Sequence, residues 1–255
     1  MTVKTKAIVL KHTFLSENDK MLHLLSKDYG LIEAKARDVK RIRGPLLSST
    51  EDCCYSEFCL FSGRSGYIVN SADRLENFFG LRNDITKMAL ASYLCELTDY
   101  LTPTAENAEV FLRLLCNSLY LLASDKRTPE FLKPIYEFRA MSESGFTPNL
   151  VGCDHCGAYE SDLMFFYPLE GIMLCDTCNK EELLSEVEQP CFRIPRNVLA
   201  VLRHILFSEI DKIFNFKANP DTLKYVDSIT EYYAKAYLER TLKTLDFYHS
   251  LKLLP

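Results

Sequence analysis

The chain has 255 residues, of which 47% are hydrophobic and 25% are charged, the composition of an ordinary soluble globular protein. Residues 1–15 lack the long apolar run of a signal peptide, and uncharged stretches elsewhere are too short to span a membrane, so we expect a cytoplasmic protein. Residues 1–45 contain ten Lys and Arg against five Asp and Glu, a net charge of +5, whereas the whole chain carries −5. This asymmetry predicts that the amino-terminal part contacts a polyanion.

The first 80 residues are predicted to form five short strands. Apolar–polar alternation and β-branched or aromatic residues mark 6–12, 20–26, 31–37, 53–61 and 65–72. A hairpin is expected around SGRSG, where Gly63 and Gly66 would supply positive φ angles. Five strands of this length suit a small closed barrel, either an OB-fold or an SH3-like barrel, and periodicity does not choose between them.

After residue 80 the hydrophobic period becomes helical. Helices are predicted over 83–102, 105–124, 128–145, 195–214 and 220–251. Asn83 or Asp84 would cap the first of them, and Thr128 would cap the third. Pro134 lies inside that third helix and should shift or kink its start. The pattern predicts a helical domain that a cysteine-containing segment interrupts.

Four cysteines with regular spacing form that segment. Cys153, Cys156, Cys175 and Cys178 follow C-x2-C-x18-C-x2-C, which lies inside the range of four-cysteine zinc sites. Each C-x2-C turn can aim two thiolates at one cation, and two turns complete a tetrahedron. The sequence PLEG between them predicts a hairpin. Four thiolates leave no open coordination position, so the spacing predicts one structural Zn²⁺ per chain rather than a catalytic one.

The cysteines have alternative interpretations. A redox pair of the thioredoxin type would need a βαβ context, which the pattern lacks, and a disulfide is disfavoured in the cytoplasm. Four buried free thiols at this spacing would be a coincidence. His155, between the first two cysteines, is the rival ligand and is interpreted as a solvated residue of the turn.

A cation-rich sequence, EAKARDVKRIRGP, follows the third predicted strand. Its five cations are Lys35, Arg37, Lys40, Arg41 and Arg43. On a small barrel such a loop could follow a phosphate backbone, and each neutralised phosphate would make binding depend on salt. The plain alternative is a solvated loop. Four nearby aromatic residues offer either stacking faces for bases or barrel core: Tyr55, Phe58, Phe61 and Tyr67.

Motifs of the common enzyme classes are absent from the sequence. H-E-x-x-H, the phosphate-binding loop G-x-x-x-x-G-K-[ST], G-x-G-x-x-G and G-x-S-x-G do not occur. The five histidines form no recognisable set with the carboxylates. We therefore predict no catalytic residues and no small-molecule substrate.

Several stretches, in order, give the chain a resemblance to a known family. These stretches are KAIVLKHTFLSENDKMLHLLSKDYGLIEAKARDVKR, LRNDITKMALASYLCELTDYLTP, IYEFRAMSESGFTPNLVGCDHCG, GIMLCDTC and YLERTLKTLDF. In this order they resemble the bacterial RecO family over nearly the whole chain, with Thr244 in the serine position of the family's L-K-S-x-x-F stretch. The segment Glu17–Lys20 and the order of the modules are specific, whereas the cysteine spacing alone is not.

The resemblance implies an α+β protein with four segments. These are an OB-fold DNA-binding domain over 1–80, a helical domain over 81–147 and 182–255, and a zinc module over 148–181 inserted in the helical domain. It also implies a non-catalytic, nucleoid-associated protein that binds single- and double-stranded DNA and anneals complementary strands. Such a protein works with RecR to load RecA onto strands coated by single-strand-binding protein.

The resemblance further implies two sets of contact residues. The loop cations Lys35, Arg37, Lys40, Arg41 and Arg43 would hold phosphates, although Asp38 and Val39 interrupt the denser basic run of the family. The acidic, aromatic-ending tail of single-strand-binding protein would dock on the helical domain, where the candidate cations are Arg113, Lys133 and Arg139.

Two other function classes stay open at this point. One is a zinc-stapled protein–protein adaptor with little affinity for DNA, in which the acidic remainder of the chain is the working surface. The other is a hidden zinc hydrolase, whose activity would vanish on Cys153→Ser while the fold survives. Charge reversal at Arg37, Lys40 and Arg41 separates the DNA hypothesis from the adaptor.

Overall fold

The computed structural model of the chain describes residues 1–39, 46–63, 66–103, 108–181, 190–238 and 240–252. The chain divides into two compact units, and each is described by itself. The first unit contains Met1–Pro129 and Leu242–Pro255, and the second contains Glu130–Thr241. Within the described ranges, no helix is long and apolar enough to cross a bilayer. The division into four segments stays a prediction.

The first unit begins with a closed five-stranded barrel. Its strands are β1 (Thr2–Phe14), β2 (Lys20–Ser26), β3 (Gly30–Ala36), β4 (Tyr55–Gly63) and β5 (Gly66–Glu76). They follow the order β1-β2-β3-β5-β4, and β4 pairs with β1 to close the ring. Neighbours are antiparallel except β3 and β5, which run parallel. The predicted small barrel is confirmed, and this strand order is that of an OB-fold.

Alternation along the strands places one apolar face inside the barrel. Leu22 and Leu24 of β2, Ala34 and Ala36 of β3, and Phe58 of β4 are fully buried in one core cluster. This arrangement follows from the two-residue period of a strand, which sends alternate side chains to opposite faces.

The hairpin between β4 and β5 differs from the prediction in one detail. Gly66 has a φ of 108°, as expected, but Gly63 does not adopt a positive φ. Gly63 ends β4 opposite Gly66 in the strand ladder, where extended backbone suffices.

Eight α-helices and a second sheet complete the described structure. The helices are α1 (Leu46–Ser49), α2 (Ile85–Leu101), α3 (Glu109–Ala123), α4 (Pro129–Glu143), α5 (Asp176–Glu181), α6 (Arg196–Phe207), α7 (Pro220–Leu238) and α8 (Lys243–Lys252). The sheet strands are β6 (Leu163–Tyr167), β7 (Ile172–Cys175) and β8 (Phe192–Pro195). A 3-10 helix, Phe79–Asn83, leads from the barrel into α2.

Helix α2 is the central helix of the first unit. Its predicted cap is confirmed: the Asp84 carboxylate accepts the N–H groups of Thr86 and Lys87 at 2.7 and 3.2 Å, which satisfies two of the unpaired donors at a helix start. α2 packs against β1, α3 and α8. Gly80 lets the 3-10 helix approach α3, because a Cβ there would lie 2.0 Å from the carbonyl oxygen of Ala123.

The prediction of one continuous helix over 220–251 is wrong. The structure has two helices there, α7 in the second unit and α8 in the first. The start of α8 is fixed by Glu96 of α2, whose carboxylate accepts hydrogen bonds from the backbone N–H and the hydroxyl of Thr244. A contact with a residue so distant in sequence cannot be recognised from local periodicity.

The second unit combines helices with a three-stranded antiparallel sheet of order β7-β6-β8. The hairpin predicted from PLEG is confirmed, because β6 and β7 pair from Met164 with Cys175 to Tyr167 with Ile172. Strand β8 was not predicted. It pairs with β6, so that Phe166 lies opposite Phe192, and it leads directly into α6.

Candidate functional site

The four spaced cysteines converge in the second unit. The Sγ atoms of Cys153, Cys156, Cys175 and Cys178 all lie within 4.8 Å of one another, and those of Cys156 and Cys175 are 3.7 Å apart. A tetrahedron with Zn–S bonds of about 2.3 Å has sulfur–sulfur edges of about 3.8 Å. The donor set and its spacing therefore fit a tetrahedral Zn²⁺, and His155 is exposed outside the cluster.

Local backbone geometry explains why these turns aim their thiols at one point. The Gly157 N–H donates to the carbonyl of Cys153 at 2.8 Å, and Gly157 has a φ of 73°, a conformation that glycine adopts without strain. Burial raises the pKa of the Cys153 thiol, but backbone N–H groups of the two turns donate to its sulfur and bring the pKa down to about 6. N–H groups aimed at sulfur favour the thiolate, which is the form that binds a metal.

Arg203 of α6 holds the first cysteine turn in place, a role that the sequence did not predict. The buried guanidinium donates to the carbonyls of Leu150, Val151 and Tyr159 at 2.7, 2.9 and 2.6 Å. It also stacks over the Tyr159 ring at 3.9 Å from its centroid. The signal in the sequence is slight, since Arg203 is a single cation within an otherwise apolar part of the helix.

The barrel carries part of the predicted basic loop. Lys35 lies on β3 with 34% of its side chain exposed, and its ammonium group is 2.9 Å from the Asp19 carboxylate. Arg37 follows at the end of the strand and is exposed. We call the end of β3 that carries Lys35 and Arg37 the basic rim. Lys40, Arg41 and Arg43 lie outside the described residues.

The interruption of the basic run has a structural role. Asp38 adopts a left-handed φ of 53°, and Val39 then enters the barrel core, where it is fully buried. The Val39 N–H donates to the carbonyl of Asn18 at 2.8 Å. These two residues therefore anchor the start of the basic loop to the β1–β2 loop.

The segment Glu17–Lys20 organises this rim. Asp19 accepts from Lys35 and from the Asp38 N–H, and these contacts lower the pKa of its carboxyl. The next residue, Lys20, is buried, and its ammonium group lies 3.0 Å from Glu51. In the sequence this segment is recognisable only as a family signature, and nothing local identifies Asp19 as the counter-ion of Lys35.

The four nearby aromatic residues divide between the two interpretations. Phe58 is fully buried and Tyr67 packs against the barrel core, whereas Tyr55 is half-buried. Phe61 is exposed on β4, but it pairs with Thr2 at the start of β1. The β1–β2 loop lies at the other end of that strand.

The three candidate partner cations occupy different environments. Arg113 is exposed on α3. Lys133 of α4 is fully buried, with Glu137, Asp227 and Glu231 at 2.9, 2.8 and 2.7 Å. Lys133 and Glu137 therefore belong to the interior of the second unit, and Asp227 and Glu231 lie partly buried beside them.

Arg139, also on α4, binds the end of a neighbouring helix. Its guanidinium donates to the carbonyls of Ile205, Leu206 and Ser208 at 3.0, 3.0 and 2.8 Å, and to Glu143 at 2.7 Å. A cation at the carboxy-terminal end of a helix satisfies its unpaired carbonyls. Arg139 thus has a structural function within the second unit.

Comparison with known proteins identifies the family. Two family models match: Recombination protein O N terminal over residues 1–78, and Recombination protein O C terminal over residues 82–246. The chain is 30% identical over 249 residues to the DNA repair protein RecO of Acetivibrio thermocellus, covering 98% of this chain and 97% of that protein. It is 30% identical over 242 residues to the protein of the same name from Alkaliphilus metalliredigens, covering 94% and 95%. With both halves matched, the resemblance is confirmed, and the chain belongs to the RecO family.

Proposed function

We propose that this protein is a non-catalytic mediator of DNA repair and recombination. In this proposal it binds single- and double-stranded DNA through the basic rim and anneals complementary strands. With RecR it helps to load RecA onto strands coated by single-strand-binding protein. Membership of a family whose members are named DNA repair protein RecO supports the general role.

The feature that carries the proposal is the run of cations in the sequence that begins on β3. Lys35 lies on β3 and Arg37 directly follows that strand, and the sequence continues with Lys40, Arg41 and Arg43. Loops at the end of an OB-fold are a recurrent site of oligonucleotide binding. Cations on such a surface attract phosphates through counterion release, which does not depend on base sequence.

Annealing follows from the same electrostatics. Two complementary strands repel each other through their phosphates, and a cationic surface that neutralises both lets their bases meet. Base pairing then supplies the free energy, so that the protein needs no catalytic group and no nucleotide hydrolysis. Residues 1–45 carry a net charge of +5 and the rest of the chain −10, so electrostatics favours the amino-terminal part as the region that attracts a polyanion.

The cysteine cluster completes the proposal as a structural zinc site. Zn²⁺, one per chain, would be held by Cys153, Cys156, Cys175 and Cys178, whose four thiolates fill a tetrahedral shell. A filled shell leaves no position for substrate or water, so the metal stabilises the fold around the β6–β7 hairpin. This argument disfavours the zinc hydrolase.

Fluorescence anisotropy of a labelled oligonucleotide, titrated at several salt concentrations, tests the proposal. We expect the logarithm of the affinity to fall linearly with the logarithm of salt concentration, and charge reversal at Arg37, Lys40 and Arg41 to abolish binding. Lack of binding by the wild-type protein at low salt would contradict the proposal. The protein–protein adaptor would then be the better description, since it predicts no effect of the same charge reversal.

Exposure supports one of the three candidate cations as a partner contact. Of the three candidate cations, only Arg113 is exposed on its helix, so we place the docking of an acidic protein tail near α3. Replacement of Arg113 by Glu should weaken binding of a fluorescent acidic tail peptide of single-strand-binding protein. Equal peptide affinity in wild type and variant would contradict this placement.

A further inference from the structure

Two buried thiols of the first unit lie in contact with each other. Cys53 belongs to the turn that precedes β4, and Cys95 lies in the middle of α2. Their Sγ atoms are 3.7 Å apart, although the residues are 42 positions apart in the sequence. Both side chains are buried, and both are free cysteines. They belong neither to the zinc cluster nor to the basic rim, so the proposed function leaves them without a role.

A cavity of about 260 Å³ leads to this pair of thiols. Its lining includes Cys53 and Cys95 together with Lys11 and Asp52. The side chains of Lys11 and Asp52 are 51% and 44% exposed, so the cavity extends from the two sulfur atoms to solvent. A space of this size is large enough for a reagent as small as water or hydrogen peroxide.

The backbone at Cys53 has an unusual conformation. Its φ is 61°, in the left-handed region that is unfavourable for a residue with a side chain. Two hydrogen bonds fasten the turn to β1: the Cys53 N–H donates to the Val9 carbonyl at 2.9 Å, and the Val9 N–H donates to the Cys54 carbonyl at 3.0 Å. A residue that only fills the core does not need a strained backbone, so this conformation points to a role for the Cys53 thiol.

We propose that Cys53 and Cys95 are a redox-sensitive thiol pair, which hydrogen peroxide oxidises to a disulfide that joins the barrel to α2. In the first step the Cys53 sulfur attacks one peroxide oxygen and the O–O bond breaks, which gives a sulfenic acid and water. In the second step the Cys95 sulfur attacks the Cys53 sulfur, and the S–O bond breaks. The hydroxyl group leaves as water with the proton of Cys95. The two thiols lose two electrons in total, and one peroxide is reduced to two molecules of water.

The positions of the two sulfur atoms suit this chemistry. They need to approach each other by about 1.7 Å to reach the bond length of a disulfide, about 2.05 Å. The hydrogen bond with Cys53, together with burial, raises the pKa of the Cys95 thiol well above its usual value. Cys95 therefore stays protonated and acts second. Disulfides of cytoplasmic proteins are usually transient and redox-sensing, which agrees with a pair that forms only under oxidising conditions.

Disulfide mapping by mass spectrometry tests the proposal on the full chain. The protein, purified in the presence of zinc, is treated with hydrogen peroxide, alkylated under denaturing conditions and digested with trypsin. We expect the peptide 44–64, which contains Cys53, to be linked to the peptide 88–113, in which Cys95 is the only cysteine. Reduction with dithiothreitol before alkylation should abolish the linked pair.

Cys54 provides the matched control, because it is buried, adjacent to Cys53 and in the same tryptic peptide. Its sulfur contacts the Ser56 hydroxyl at 3.5 Å. Cys54→Ala should retain the linked pair, whereas Cys53→Ala and Cys95→Ala should lack it.

The unfolding temperature gives a second readout. A disulfide between residues so distant in sequence restricts the unfolded chain, so reduction of the oxidised wild-type protein should lower its unfolding temperature by about 5 °C or more. Reduction of peroxide-treated Cys53→Ala should have a smaller effect. Oxidation of other cysteines occurs in both proteins, so the difference between them reports on the Cys53–Cys95 crosslink.

Several outcomes would overturn the proposal. One is absence of the linked pair from the oxidised wild-type protein, whichever other thiols have reacted. Another is linkage of the peptide 44–64 to the peptide 114–126, which contains Cys116, in place of 88–113. Persistence of the linked pair in Cys53→Ala, or an equal effect of reduction on the unfolding temperatures of wild type and Cys53→Ala, would also contradict it. None of these outcomes bears on DNA binding, because the pair is assigned from contacts within the first unit.

Discussion

The basic rim and the interior of the second unit each contain a lysine. Nearby carboxylates neutralise the interior lysine more completely than the one at the rim. At the rim, Lys35 keeps 34% of its side chain exposed and meets one carboxylate, that of Asp19. In the second unit, Lys133 is fully buried among Glu137, Asp227 and Glu231. In the proposed function the ammonium of Lys35 exchanges the Asp19 carboxylate for a phosphate, whereas that of Lys133 stabilises the fold.

This difference distinguishes a cation that can bind a ligand from a cation that stabilises the fold. An exposed ion pair contributes about 1 kcal/mol or less, so a competing anion can replace it at little cost. A buried cation cannot leave its partners without exposing an uncompensated charge inside the protein. Substitutions in the second unit should therefore change stability, and those at the rim should change DNA affinity.

The largest expected effect is the loss of the cysteine cluster. Cys153→Ser should remove bound zinc and destabilise the second unit by on the order of 5 kcal/mol or more, because metal binding and folding of such modules are coupled. Thermal unfolding followed by circular dichroism, with zinc content measured in parallel, checks this. Cys191→Ser is the control, since Cys191 lies exposed in the same unit outside the cluster. Identical unfolding curves and zinc contents for both variants would exclude the metal site.

The next largest effect is expected for Lys133→Met, which should lower the free energy of unfolding by about 3–5 kcal/mol. The substitution leaves three carboxylates around a site without their cation. Lys235→Met is the control, because Lys235 pairs with the same Glu231 at 2.6 Å but lies half-exposed, and it should cost less than about 1 kcal/mol. Urea unfolding at pH 7 measures both. Equal losses would mean that burial does not distinguish these pairs.

The stability difference between wild type and Lys133→Met should depend on pH and become smaller at high pH. Burial alone would lower the pKa of Lys133, but the carboxylates of Glu137, Asp227 and Glu231 outweigh it and raise the pKa above its usual value. A raised lysine pKa gives a stabilisation that is complete below the unfolded value of about 10.4 and is lost as pH rises beyond it. The difference in stability between wild type and Lys133→Met should stay constant from pH 7 to about 9.5 and shrink above about pH 10.4. A difference that grows with pH would reverse this assignment.

Arg203→Met should cost about 3 kcal/mol, because three carbonyls, one buried and two partly buried, lose a charged donor. Arg196→Met on the same helix is the control, since the Arg196 side chain is largely exposed in its pair with Asp162. Chemical unfolding of both variants gives the comparison. The prediction is contradicted if Arg196→Met is as destabilising as Arg203→Met.

The smallest expected effect is at the rim and is a gain. Asp19→Asn removes the carboxylate that competes with phosphate for Lys35, while its side-chain oxygen can still accept the Asp38 N–H. We expect a few-fold higher DNA affinity at low salt and a slightly steeper salt dependence. Glu17→Gln, in the same loop, controls for the general change in charge. A gain no larger than that of Glu17→Gln would show that Asp19 does not compete for the lysine.

Local patterns in the sequence were enough to predict much of the barrel and of the cysteine site. β2 alternates cleanly over Lys20–Ser26, and Asp84 has the side chain that a helix cap needs. The C-x2-C spacing fixes the cysteine turns because two residues are enough to bring two thiols together. In each of these cases the determining contacts lie within a few residues of one another.

The remaining features depend on contacts between distant residues. β8 has four residues, too few for a pattern, and exists because β6 pairs with it. Lys133 resembles a surface lysine in sequence, and its burial depends on Asp227 and Glu231 of α7. Asp19 acts on Lys35 only through the pairing of β2 with β3. These are tertiary effects, which override local pattern and propensity.

The most direct test of the central claim compares the salt dependence of DNA binding in Lys35→Gln and Lys217→Gln. The Lys35 side chain is partly exposed at the basic rim, and Lys217 is exposed in the second unit. If the rim holds phosphates, Lys35→Gln should reduce the magnitude of the log–log slope by about 0.7–0.9, the value for one lost phosphate contact. Lys217→Gln should leave it unchanged. Equal slopes for the two variants would contradict the assignment of DNA binding to the basic rim.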